Sequence, residues 1–73
     1  MEVTLWQIQV KKSDFKICKE CGCFNWYENE ECHNCFSRKF RKVTQKDIKN
    51  ELKFWIEQEG YSEEQAENVL IEV

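Results

Sequence analysis

The chain has 73 residues, 41% of them hydrophobic and 34% charged, with a formal net charge of −3 at pH 7. This length limits it to one small domain with a marginal apolar core, and no apolar run is long enough to span a membrane. Eight Lys and Arg against six Asp and Glu give residues 1–43 a charge of +2, whereas three against eight give residues 44–73 a charge of −5. This balance is unlike the basic surfaces of most nucleic-acid-binding domains and favours protein partners.

The first predicted element is a β-strand over residues 3–10. Trp6, Ile8 and Val10 alternate there with glutamines, which gives the segment one apolar and one polar face. A polar turn follows. Residues 15–17 are then expected to form a second short strand that delivers Cys18 to a metal site.

Two Cys-x2-Cys pairs give the strongest signal in the chain. Cys18 and Cys21 form the first pair, Cys32 and Cys35 form the second, and ten residues separate them. Four thiolates at this spacing are the ligand set of a tetrahedral structural zinc site, although iron would fit the same cage. We predict one structural Zn²⁺ ion, whose binding free energy of order 10 kcal/mol would offset the small core.

The residue that follows each pair determines the shape of the turn. Gly22 follows the first pair and can adopt a positive φ at no steric cost, so we assign it a structural role. Phe36 holds the equivalent place after the second pair. There a positive φ would be strained by roughly 1–2 kcal/mol, unless the second turn has another shape.

The fifth cysteine, Cys23, is expected to be a small buried residue rather than a metal ligand. An odd number of cysteines, with no leader segment before them, favours a reducing compartment over a secreted disulfide framework. We therefore expect a cytoplasmic protein.

Residues 22–31 are expected to form a loop, because neither a helical nor a strand period persists there. The loop contains Phe24, Trp26 and Tyr27. Large aromatic side chains in a short polar loop predict an exposed patch that contacts a partner. The alternative is that so small a chain needs Trp26 and Tyr27 for its core.

Four cations follow the second cysteine pair, in a segment expected to be a short strand or an extended arm: Arg38, Lys39, Arg41 and Lys42. They could neutralise the phosphates of a nucleic acid. The alternative is a solvated strand face, or a set of partners for the acidic helices of the same molecule.

The pattern becomes helical from Thr44, which is expected to cap a helix with Asp47 in its first turn. Phe54 lies off the apolar stripe of this helix and is a second candidate for a partner contact. The stripe consists of Ile48, Leu52, Trp55 and Ile56.

A second helix is predicted directly after the first. Gly60 is expected to end the first helix in a left-handed conformation. Ser62 and Gln65 form a capping box for the second helix, which is expected to continue to Val73. Residues 44–73 would thus form a helical hairpin.

The pattern Cys18-x2-Cys21-x3-Asn25-x6-Cys32-x2-Cys35 resembles the short zinc fingers named after the Ran-binding nucleoporin, and also small zinc-ribbon modules. The resemblance covers roughly residues 15–40. It implies that Asn25 has a structural role and bridges the loop to the metal-binding turns.

Two branches of these fingers have known ligands. One stacks a base of single-stranded RNA on a tryptophan that corresponds to Trp26, but this chain has Glu28 and Asn29 where that branch has guanine-reading arginines. The other branch binds ubiquitin through a Thr-Phe pair, and here those positions hold Gly22 and Cys23. Separately, residues 46–73 are similar to the first two helices of a ubiquitin-associated domain, through the sequence from Glu59 to Ser62.

Together these features predict an α+β protein consisting of one domain, residues 1–73. A zinc-ribbon half, residues 1–43, would pack on the helical hairpin, residues 44–73. The predicted function is that of a non-catalytic adaptor or regulator that binds another protein through Phe24, Trp26 and Tyr27. The alternative is single-stranded nucleic-acid (RNA) binding, with Trp26 stacking on a base and the basic arm, residues 38–42, on the backbone.

We expect neither an enzyme nor a small-molecule substrate. Four cysteine ligands leave no open metal position, and the chain has a single histidine and no glycine-rich phosphate loop.

Overall fold

The computed structural model describes residues 1–73. Its elements, in chain order, are β1 (Glu2–Thr4), α1 (Leu5–Val10), a 3₁₀ turn (Lys12–Asp14), β2 (Phe15–Cys18), β3 (Phe24–Trp26), β4 (Phe40–Lys42), α2 (Gln45–Glu57), α3 (Glu63–Glu67) and β5 (Leu70–Glu72). The strands form two antiparallel sheets, β1 with β5 and β3-β2-β4. This architecture confirms the α+β class. None of the helices is long and apolar enough to cross a membrane.

The segment of residues 3–10 is mostly helical, so the prediction of a strand there was wrong beyond Thr4. Thr4 and Gln7 form a capping box: the Thr4 side chain accepts a hydrogen bond from the Gln7 amide, and Gln7 Oε1 accepts one from the Thr4 amide. The helix buries Leu5 and Ile8, which are three residues apart, and leaves Trp6 48% exposed. The apolar alternation that suggested a strand was therefore not the pattern of burial.

The three-stranded sheet positions the first cysteine. The strand predicted at residues 15–17 is confirmed as β2, which ends at Cys18. The short strand expected after the second cysteine pair is β4, and it places Phe40 opposite Cys18. The prediction of a loop throughout residues 22–31 was wrong for Phe24–Trp26, because β3 pairs there with β2.

The start of α2 agrees with the sequence prediction, since Thr44 and Asp47 form a reciprocal capping box. Gly60 adopts φ +70°, as expected after a helix. Ser62 and Gln65 cap α3, but this helix ends at Glu67. The predicted extension to Val73 was wrong, because residues 70–72 form β5.

The core draws on both ends of the chain, and only 12 of the 73 residues are buried. The cluster of buried apolar side chains consists of Leu5, Ile8, Phe15, Ile17, Phe24, Val43, Ile48 and Val73. Because residues before and after Thr44 share this cluster, the four-cysteine half and the helical half pack on each other. So small a core leaves the fold dependent on additional cross-links.

One ion pair joins β4 to the beginning of α2. The Arg41 guanidinium donates two hydrogen bonds of 2.8 Å to the two carboxylate oxygens of Asp47. Asp47 Oδ2 also accepts from the amide of Thr44. These hydrogen bonds, with that from Arg41 the strongest, hold the pKa of Asp47 well below its usual range.

We predict that Asp47→Asn lowers the free energy of unfolding by about 1–2 kcal/mol at neutral pH, because it breaks the two-pronged charge-assisted contact. The folded pKa lies below the unfolded value of about 3.9, so the carboxylate stabilises the fold fully above that value. This contribution is lost as the pH falls through the folded pKa. The difference between wild type and variant should therefore shrink below about pH 4.

Urea unfolding at a series of pH values measures this difference. Because acid also protonates the thiolates and releases the metal, wild type and variant are compared only at pH values where elemental analysis shows equal metal content in both. Glu59→Gln, at an exposed position without an ion pair, is the matched control. A difference that stays constant or grows toward acid would contradict the assignment.

Candidate metal centre

Four cysteines converge at one end of the three-stranded sheet. The closest sulfur pairs join the two halves of the motif, with Sγ–Sγ distances of 3.4 Å for Cys18 and Cys35 and 3.5 Å for Cys21 and Cys32. All four sulfurs lie within 4.8 Å of one another. A tetrahedral ion with metal–sulfur bonds of about 2.3 Å needs sulfurs about 3.8 Å apart. The four cysteines are therefore arranged to hold one metal ion.

The two cysteine turns have the same backbone shape. The Gly22 amide donates to the Cys18 carbonyl at 2.9 Å, and the Phe36 amide donates to the Cys32 carbonyl at 3.0 Å. Gly22 has φ +78° and Phe36 has φ +64°. Of the two possibilities open at Phe36, the structure adopts the strained turn, so a bulky residue occupies a conformation that favours glycine.

Backbone amides surround the sulfurs and favour thiolates. The Cys32 sulfur accepts hydrogen bonds from the Asn34 amide at 3.4 Å and from Asn25 Nδ2 at 3.5 Å. Burial acts to raise the pKa of Cys32, but the hydrogen bonds outweigh it and lower the pKa to about 6. The pKa of Cys21 is also lowered, chiefly by a backbone hydrogen bond from Cys23. The lowered pKa values of Cys21 and Cys32 favour the thiolate, which is the form that binds a metal ion.

At Cys35, by contrast, the close packing of the sulfurs disfavours the thiolate. At Cys35 a hydrogen bond from the backbone of Ser37 acts to lower the pKa, but burial and the neighbouring sulfurs raise it to about 12. A bound cation removes this repulsion between thiolates. Burial and the same neighbours raise the pKa of the fifth cysteine, Cys23, to about 11, so it remains a thiol outside the cluster.

Asn25 connects the loop to the second cysteine turn and is the only buried polar residue. Its Nδ2 donates to the Cys23 carbonyl and to the Cys32 sulfur, at 3.2 and 3.5 Å. Its Oδ1 accepts from the His33 amide at 3.0 Å and from Asn29 Nδ2 at 3.1 Å. All of its hydrogen-bonding atoms are therefore used inside the protein.

Two further polar residues support the centre. A ring nitrogen of His33 lies 2.9 Å from the Phe24 carbonyl oxygen, and His33 is not part of the sulfur cluster. Asn29 donates from Nδ2 to the Val73 carbonyl at 2.6 Å as well as to Asn25. This link was not visible in the sequence, where Asn29 stood out only at the position of a guanine-reading arginine, because it depends on Val73, 44 residues away.

The three aromatic residues proposed as partner contacts lie in different environments. Phe24 is only 6% exposed and belongs to the core, so its ring is not presented to a partner, contrary to the role predicted for it. Trp26 is half-buried, with its ring edge-to-face against Phe15 at 5.5 Å. Tyr27 is 51% exposed, and its ring lies 4.8 Å from that of Trp26. The exposed patch is thus made by Tyr27 and the outer part of Trp26.

Three of the four cations proposed as a basic arm form ion pairs within the molecule. Arg38 contacts Glu31 at 2.9 Å, Lys39 contacts Glu20 at 3.8 Å, and Arg41 contacts Asp47 at 2.8 Å. Lys42 is exposed and forms no ion pair. The arm therefore carries fewer uncompensated charges than its sequence suggests.

No protein-family profile matches the chain, and neither a curated protein nor a solved structure matches it. The likeness of residues 15–40 to zinc fingers is carried by the four-cysteine cluster alone, and the likeness of residues 46–73 to a ubiquitin-associated domain remains a prediction.

We predict that Cys32→Ser abolishes stoichiometric metal binding and unfolds the chain, whereas Cys23→Ser retains both metal and fold. Cys32 is a member of the cluster and Cys23 is not. Cys23 lies only nine residues before Cys32, so it is the matched control. Elemental analysis and circular dichroism, with and without a chelator, measure both properties. Equal metal content in the two variants, or a fold that survives chelation, would contradict the assignment.

The two cysteine turns predict substitutions with opposite effects. Phe36→Gly should raise the free energy of unfolding of the metal-loaded protein by about 1 kcal/mol, because glycine adopts the positive φ without strain. Gly22→Ala should lower it by about 1 kcal/mol, since no atom lies within 4 Å of the added Cβ and only backbone strain remains. Phe36→Ala removes the ring but keeps the backbone strain, so it measures the contribution of the ring alone. Changes of the same sign for the two main variants would show that φ is not the cause.

Proposed function

We propose that this chain is a zinc-stabilised, non-catalytic module that binds another protein. The observation that carries the proposal is the convergence of four cysteine sulfurs within 4.8 Å. Four thiolates fill the tetrahedral coordination of Zn²⁺ and leave no position for a water or a substrate. The ion then supplies stability rather than chemistry.

Tyr27 and Trp26 provide the contact surface. Their rings lie 4.8 Å apart, and Trp26 is anchored against Phe15 in the core. Aromatic residues that are rigidly held and half-exposed lose little side-chain entropy on binding and are enriched at interface hot spots. This pair has those properties.

The charges around this aromatic pair favour a protein over RNA. The indole nitrogen of Trp26 donates to Glu28 at 3.4 Å. The negative charges of Glu28 and, to a smaller extent, Asp14 raise the pKa of Tyr27. A phosphate backbone would be repelled by these carboxylates. The basic residues Arg38, Lys39 and Arg41 of the proposed arm are already paired with acidic side chains.

We predict that the immobilised zinc-loaded chain captures a protein partner from its own cell extract, and that Tyr27→Ala lowers the recovery of this partner about tenfold. Trp6→Ala is the matched control, because Trp6 is an exposed aromatic on a different element, α1. Mass spectrometry identifies the captured protein and reports the bound metal.

Three results would contradict the proposal. The first is that Trp6→Ala lowers capture of the partner as much as Tyr27→Ala does, and the second is that the native protein contains a metal other than zinc. The third is salt-sensitive binding to homopolymer RNA that Tyr27→Ala weakens. The last of these would establish the nucleic-acid alternative.

A further inference from the structure

A surface groove of about 500 Å³ lies beside the metal centre, between the second cysteine turn and the end of β5. Its apolar lining comes chiefly from Met1, Trp26, Phe36 and Val73. This volume lies in the range of sites that hold several side chains or a small ligand. Trp26 joins the groove to the Tyr27 patch.

Phe36 is the unusual residue of this groove. It is the only non-glycine residue with positive φ, yet its ring is 70% exposed and contributes little to the core. The folded protein therefore holds a strained backbone without gaining burial of the side chain. Strain of this kind concentrates at binding and catalytic sites, where it fixes a group in a required position.

The rim of the groove is acidic. Glu30, Glu31 and Glu72 line it, and no lysine or arginine does. Glu31 is paired with Arg38, and Glu72 with the amino group of Met1. Glu30 is exposed and forms no ion pair, so at least one carboxylate is free for an incoming cation.

We propose that the groove binds a peptide segment of a partner protein that carries both apolar and Lys or Arg side chains. The apolar side chains pack on Phe36 and Val73, while a cation pairs with Glu30 or lies over the ring of Trp26. This inference rests on the proposed protein-binding function and specifies the chemistry of the partner. An acidic segment or a nucleic acid is repelled by the same rim.

The test uses the full zinc-loaded chain labelled with ¹⁵N and a synthetic peptide of alternating lysine and leucine. A peptide of alternating glutamate and leucine controls for apolar binding alone, and one of alternating lysine and serine controls for charge alone. Amide chemical shifts locate the binding site, and fluorescence anisotropy gives the affinity.

The lysine–leucine peptide should shift amides around Phe36, Glu30 and Val73, and both control peptides should bind at least about tenfold more weakly. Phe36→Gly should weaken binding about tenfold, and it removes backbone strain, so a loss of binding is not a loss of folding. Glu30→Lys should weaken binding several-fold at low salt. The matched controls are Trp6→Ala for the ring and Glu59→Lys for the charge, both at exposed positions outside the groove.

Absence of binding, shifts that lie elsewhere, or affinities unchanged by Phe36→Gly would overturn the inference. Concentration-dependent shifts of the groove amides without peptide would show instead that a second copy of the chain occupies it. If a partner captured from extract still depends on Tyr27 while the peptide does not bind, the proposed function stands and this inference fails. If the peptide binds in the groove but capture of no partner depends on Tyr27, the inference about the groove stands and the contact surface proposed at Tyr27 fails.

Discussion

The convergence of four sulfur atoms joins β2 to residues 27–39, none of which belongs to the apolar core cluster. Cys18 ends the central strand β2, and Cys32 lies in a loop that has no apolar anchor of its own. With only 12 buried residues, the chain cannot fix this loop by apolar burial alone. The metal ion proposed for this site, with a binding free energy of order 10 kcal/mol, would supply the missing stabilisation. The proposed module is thus held together by two centres, the apolar core and the four-cysteine cluster.

A chain of hydrogen bonds connects these two centres. Asn25 reaches from the Cys32 sulfur to Asn29, and Asn29 reaches on to the carbonyl of Val73, whose side chain is in the core. The polar atoms of these two asparagines are oriented by the metal-binding turns on one side and by Val73, directly after β5, on the other. A bound metal would therefore also position the surface between them, including the wall of the acidic groove.

The cysteine spacing and the helix caps after residue 43 were reliable local signals. Apolar alternation was not reliable at residues 3–10, and pairings between distant segments were not visible in the sequence. The cysteine spacing predicted the cluster, and Thr44 and Ser62 marked two helix starts that the structure contains. The capping box at Thr4 and Gln7 was an available signal that apolar alternation obscured. The strand β5 was missed, because its pairing with β1 joins segments about 70 residues apart and cannot be read from neighbouring residues. Spacing raised the possibility of a strained turn at Phe36 but did not reveal that its ring is exposed, since that depends on what surrounds the second turn.

The pairing of β1 with β5 has a consequence for the order in which the molecule assembles. Glu2 lies opposite Glu72, so this sheet closes a loop that spans almost the entire chain. Contacts between segments so distant in sequence carry a large loop-closure entropy and form slowly, whereas the cysteine turns and helices form from near neighbours. We therefore expect the ion to be captured first and this sheet to close last, completing the interior when Val73 enters it.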